Sequence, residues 1–120
     1  MIKQVIVIRK DLKMRRGKEI AQGAHASCSF MSDLLNNNKK PNSVQLEWLK
    51  GSFTKVTLKV NSEEELLEVY KNSINKGLDC YLITDSGKTE FNGVPTKTCL
   101  AIGPDCSDKI DLVTGNLELY

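Results

Sequence analysis

At 120 residues and 13.4 kDa the chain has the size of one compact domain. Hydrophobic residues make up 40% and charged residues 27%, which argues against intrinsic disorder and suffices for one core. The net charge of +2 is too small to imply a uniformly basic surface.

No apolar run approaches the roughly 18 residues of a membrane span, so no membrane partner is expected. Lys3 interrupts the first apolar run, and no small-residue cleavage site follows it, so a cytoplasmic protein is the expectation. Cys28, Cys80, Cys99 and Cys106 form no C-x-x-C pair, and His25 is the single histidine. Reduced thiols and no metal site are expected, with Cys28, Cys80 and Cys99 read as small buried hydrophobes.

The charge is unevenly placed. Arg9, Lys10, Lys13, Arg15, Arg16 and Lys18 lie within one short segment that holds a single acid, Asp11, while the rest of the chain is net negative. A local positive patch steers an anionic partner. Its bland alternative is a solvated loop.

In chain order, Lys3 to Arg9 is rich in β-branched residues and reads as a buried strand. A basic loop follows to Gly17. From Lys18 to about Leu35 the pattern is helical, with Ile20, Ala24, Cys28, Met31 and Leu35 as an apolar stripe expected to face the core. Lys18, Gln22, His25 and Ser29 repeat at the same spacing about 200° away and are expected to face outward. Residues 36 to 42 read as a loop and Ser43 to Lys50 as a short helix ended by Gly51. Thr54 to Val60 alternates like a half-buried strand. Ser62 and Glu65 suggest a capping box for a helix that Gly77 ends. Leu78 to Thr84 and Thr98 to Ile102 read as strands around the polar loop 85 to 97. Ser107 to Val113 reads as a helix and Asn116 to Tyr120 as an edge strand. The order β-α-α-β-α-β-β-α favours a layered α/β or α+β architecture around a mixed sheet.

The tripeptide Gly87-Lys88-Thr89 suggests a phosphate-binding P-loop, but that motif needs a glycine at the position of Leu82, inside an apolar strand. Asp85 is the first polar residue beyond the strand end, where α/β sheets commonly carry ligand chemistry, and could act as or orient a general base. Its bland reading is an Asx turn over Ser86 and Gly87. His25 belongs to a residue type that titrates near neutrality, although a lone histidine is more often a surface residue. Lys18, Gln22 and His25 together suit binding and polarising a phosphate or a carbonyl. No G-x-S-x-G elbow is present and Cys28 falls on the apolar stripe, so an activated water is the expected nucleophile of any hydrolase here.

The blocks VIVIRKDLKMRRGKEIAQGAHAS, LITDSGKTEF, TCLAIGP and IDLVTGNLELY resemble the type 2 peptidyl-tRNA hydrolases, in that family's order and over almost the whole chain. The resemblance implies one domain over residues 1–120: a three-layer α/β/α fold with a mixed four-stranded sheet flanked by helices on both faces. It implies hydrolysis of the ester joining peptide to tRNA, with no cofactor, and commonly a homodimer. Lys18, Gln22 and His25 match GK-x-x-AQ-x-x-HA, Asp85 and Thr89 match D-A-G-x-T, and Thr98 matches a threonine opening the last core strand. These matches imply catalytic roles for Lys18, His25, Asp85, Thr89 and Thr98. Lys13, Arg15, Arg16, Gln22 and Lys88 would bind the peptidyl-tRNA. Arg15 stands where the family usually has glycine, Ser86 where it has alanine, and Lys88 where it has arginine, which keeps the charge but loses the bidentate fork. A non-catalytic RNA-binding or ribosome-associated module, or a protein-binding adaptor, would share the scaffold without needing Asp85 or Lys18.

Overall fold

The computed structural model describes residues 1–120, and its strands and helices follow the expected order. They are β1 (Ile2–Arg9), α1 (Arg16–Asn36), α2 (Ser43–Lys50), β2 (Lys55–Val60), α3 (Glu63–Asn75), β3 (Cys80–Asp85), β4 (Thr96–Cys106) and α4 (Ser107–Thr114). The sheet order is β2-β1-β4-β3, with β1 parallel to β2 and antiparallel to β4, and β4 antiparallel to β3. No helix is long and apolar enough to cross a membrane.

Helices cover both faces. Val5, Val7, Leu58, Leu100 and Ile102 pack with Leu66 and Val69 of α3 and with Ile110 and Val113 of α4. On the opposite face Ile6, Ile8, Ile83, Cys99 and Ala101 meet Ala26 of α1 and Met14 of the basic loop. The α2 helix joins that second layer through Trp48, which meets the Phe30 ring edge-on at 5.9 Å and donates its indole N–H to the Thr54 carbonyl at 2.8 Å. Two-sided coverage explains why the central strand β1 carries the unbroken apolar run Val5–Ile8 whereas the edge strand β2 alternates.

Three local expectations are corrected. The first is the face of α1. Ile20 and Leu35 are 66% and 78% exposed, and Ala24 and Cys28 are exposed too, while Gln22, Gly23, Ala26, Ser27 and Phe30 are buried. Small and hydrogen-bonded residues let this helix lie close on the sheet. A Cβ on Gly23 would sit 3.8 Å from Ile8, and Ser27 exchanges two hydrogen bonds with Gln4: its hydroxyl donates to the Gln4 amide oxygen, and its carbonyl accepts from the Gln4 amide nitrogen at 3.0 Å. Cys28 is therefore an exposed thiol, while Cys80 and Cys99 are buried as expected.

The second concerns caps. Ser62 does accept from the Glu65 amide, but the Glu65 carboxylate reaches past it to the Asn61 amide at 3.0 Å. The reciprocal capping box is at α2, between Asn42 and Gln45. Third, residues 116–120 form one antiparallel bridge, Leu58 to Leu119, instead of a full strand.

Candidate active site

The N-terminal turns of α1 lie against the C-terminal end of β3, so Lys18 and Asp85 meet although 67 residues separate them. The Lys18 ammonium donates to Asp85 Oδ1 at 2.8 Å and to the Thr89 hydroxyl at 3.0 Å. Asp85 Oδ2 accepts the Gly87 backbone N–H at 2.9 Å. The Asx-turn reading of Asp85 therefore holds on Oδ2, while Oδ1 pairs with the Lys18 cation. Gly87 has φ +82° and lies so close to Val94 that a Cβ would come within 2.3 Å of its carbonyl oxygen, so the turn requires glycine.

Gln22 is buried, which corrects its expected outward position. Its amide nitrogen donates to Asp85 Oδ1 at 3.4 Å, and its amide oxygen accepts a hydrogen bond from the Thr98 hydroxyl. Thr98 reaches this side of the sheet through a β-bulge. Cys99 pairs with Ile83 and Lys97 with Thr84, which leaves Thr98 without a partner. Its hydroxyl consequently lies beside Cys99, 3.7 Å from the thiol. The sequence gives no signal for this bulge.

A chain of hydrogen bonds thus runs from Thr98 through Gln22 and Asp85 to Lys18 and Thr89. Lys18 and Asp85 side chains are 16% and 11% exposed, so the pair is shielded but open to a ligand. The hydrogen bond from Lys18 holds the Asp85 carboxyl below the usual carboxylate range, aided by the Gly87 amide and opposed by partial burial. A carboxyl whose folded pKa is depressed contributes stability above its unfolded pKa of about 3.9, and the contribution is lost as pH falls through the folded value. The stability difference between wild type and Asp85→Asn, measured by urea unfolding, should therefore shrink between pH 7 and pH 3.

His25 is outside this chain. Its imidazole makes no hydrogen bond to Asp85 or Lys18. It is exposed on the same side of α1, seven residues or roughly 10 Å beyond Lys18, beside Ser29, Asp33 and Tyr81.

The basic segment forms a lip over the same end. Met14 is buried and pins it, while Lys13, Arg15 and Arg16 on either side are exposed. Arg9 is not part of the lip. It forks onto Asp11 at 2.7 and 3.2 Å and donates to the Lys97 carbonyl at 3.0 Å, tying the end of β1 to the start of β4. No ion pair engages Lys13, Arg15, Arg16 or Lys88. Arg15 precedes α1 without any side chain capping the helix, so the first backbone N–H groups are left without a side-chain partner.

Residues 2–120 match the family described as Peptidyl-tRNA hydrolase PTH2. The chain belongs to that family. It is 44% identical to a peptidyl-tRNA hydrolase of Methanocaldococcus jannaschii over 98% of this chain and 99% of the relative. It is 46% identical to one from Nanoarchaeum equitans over the full length of both. A solved protein of unknown function from Agrobacterium tumefaciens has the same fold, with a TM-score of 0.61 over 99% of this chain and 97% of its own at 11% identity. The family is hydrolytic, which agrees with a site built from an ammonium, a carboxylate and hydroxyl groups.

Proposed function

We infer that this protein hydrolyses the ester joining a peptide to the 3′ ribose of tRNA, and that the Lys18–Asp85 pair is its catalytic centre. The 2.8 Å contact between these side chains at the foot of an unpaired basic lip carries the reading. Lys18 stabilises negative charge on the tetrahedral intermediate, the electrostatic role that usually contributes most. Asp85 orients and deprotonates the attacking water. As Lys18 moves toward the developing oxyanion it loosens its hold on Asp85, and the carboxylate regains proton affinity when the water loses its proton. The absence of a hydrogen bond from His25 to Asp85 favours direct action of the carboxylate, with His25 meeting the substrate further along. Thr98 and Gln22 hold Asp85 in place, and Thr89 holds Lys18.

Lys13, Arg15, Arg16 and Lys88, together with the uncapped start of α1, bind tRNA phosphates without reading sequence. A cytoplasmic location goes with this substrate, which arises during translation. The test is time-resolved deacylation of N-acetyl-aminoacyl-tRNA by the purified protein in the presence of a chelator. A protein that binds tRNA but cleaves nothing would be the RNA-binding module instead. The variant Arg16→Ala should weaken binding and flatten its dependence on salt, by about one unit of slope in log Kd against log salt. An unchanged slope removes Arg16 from the phosphate contacts.

A homodimer belongs to the same reading. On α1 the exposed Ile20, Ala24 and Cys28 and the half-buried Met31 line an apolar groove of about 510 Å³ with Phe53 of the turn before β2. A second copy of the chain covers it. Ile20→Glu should then shift the protein to a monomer in sedimentation velocity, since Ile20 is 66% exposed and carries no packing duty within one chain.

A further inference from the structure

The sheet order leaves one long side of β3 without a neighbour. Gly103 donates its amide to the Asp79 carbonyl at 2.9 Å, and this bond sets the phase of the β3–β4 ladder. Asp79, Tyr81 and Ile83 turn their backbone groups toward β4, so Cys80, Leu82 and Thr84 turn theirs outward. The bulge lies in β4, so the alternation along β3 is unbroken. No turn or loop backbone group bonds to Cys80, Leu82 or Thr84. The free edge is short, and its C-terminal residue is Asp85. Beside it runs a polar trough of about 450 Å³ lined by His25, Ser29 and Asp33 of α1 and by Tyr81 of β3.

The scissile ester carbonyl belongs to the last residue of the peptide. When that carbonyl is at Asp85, the remaining peptide has to leave the cluster in some direction. The β3 strand runs toward Asp85, so a peptide whose C-terminus is at Asp85 lies parallel to it. We propose that the peptide of peptidyl-tRNA adds as a parallel strand to the free edge of β3. Its last three or four residues pair with Thr84, Leu82 and Cys80, at about 3.3 Å per residue. Recognition through the main chain disregards side-chain identity, which suits a substrate class whose peptides share no sequence. The trough of His25 and Tyr81 takes every second side chain and imposes only a loose preference. The proposal rests on the peptidyl-tRNA reading and adds the place and direction of the peptide.

Two measurements test it. The first is kcat/KM on N-acetyl-oligoalanyl-tRNAs of one to six residues, with and without a single backbone N-methyl group. Efficiency should rise to about four residues and then level off. Methylation should cost about fivefold per lost hydrogen bond, at alternate amides only. Equal cleavage of all lengths and of all methylated forms would overturn the proposal and leave the hydrolase reading intact.

The second needs no turnover. A non-cleavable adenosine carrying a tetrapeptide through a 3′-amide should slow hydrogen exchange at the Leu82 and Thr84 amides at least tenfold relative to the same compound with one residue. Unchanged exchange overturns the proposal whether or not the enzyme is active. Protection already present in the free protein, growing with its concentration, would assign this edge to a second copy and overturn it as well.

Discussion

Lys18→Met is expected to lower kcat for peptidyl-tRNA by about a hundredfold to a thousandfold, the usual cost of removing one preorganised donor to an oxyanion. Methionine keeps the apolar stem, so the loss falls on the ammonium. That ammonium is the one cation within hydrogen-bond reach of both Asp85 Oδ1, at 2.8 Å, and Thr89, at 3.0 Å. Its removal leaves Asp85, 11% exposed, without its ionic partner, and stability should fall by about 1–3 kcal/mol. Single-turnover deacylation and urea unfolding separate the two effects. A variant with kcat within threefold of wild type would show that Lys18 holds the site together without acting in the chemistry.

Asp85→Asn should have a comparable effect, about a hundredfold to ten-thousandfold, because it removes the base while keeping the shape. The carboxamide can still accept the Gly87 N–H, so the Asx turn survives and the loop keeps its path. Because Lys18 and Asp85 act as a unit, Lys18→Met combined with Asp85→Asn should be hardly slower than either alone. Losses that multiply in the double variant would mean that the two residues serve separate steps.

Much of the architecture is legible in the residues. The period-two alternation of β2, the β-branched run of β1 and the helical spacing of α3 are local properties, and each element forms where those patterns lie. The site was legible in part. Asp85 stands at a strand end and Lys18 at a helix start, both marked by composition. Their contact across 67 residues depended on the resemblance to a family, since neither position specifies the other.

The α1 helix shows where local reading fails. Hydrophobicity assigns its buried side to Ile20, Ala24 and Leu35, yet the sheet takes Gln22, Gly23, Ala26 and Ser27. Periodicity tells which residues share a face. Which face meets the sheet is decided by how closely two backbones can approach and by whether buried polar groups find partners there, as Ser27 does with Gln4 and Gln22 does with Thr98.

The amino-acid order alone determined the succession of strands and helices, the concentration of net positive charge in residues 9–18, and the residue types available for an ester hydrolysis. Tertiary structure alone decided that Thr98 turns through a bulge to support Gln22, that Arg9 is committed to Asp11 and Lys97, and that β3 keeps a free edge ending at Asp85. The first group follows from interactions within a few residues of chain. The second depends on strand register and on contacts between distant segments, which exist only after the layers have packed.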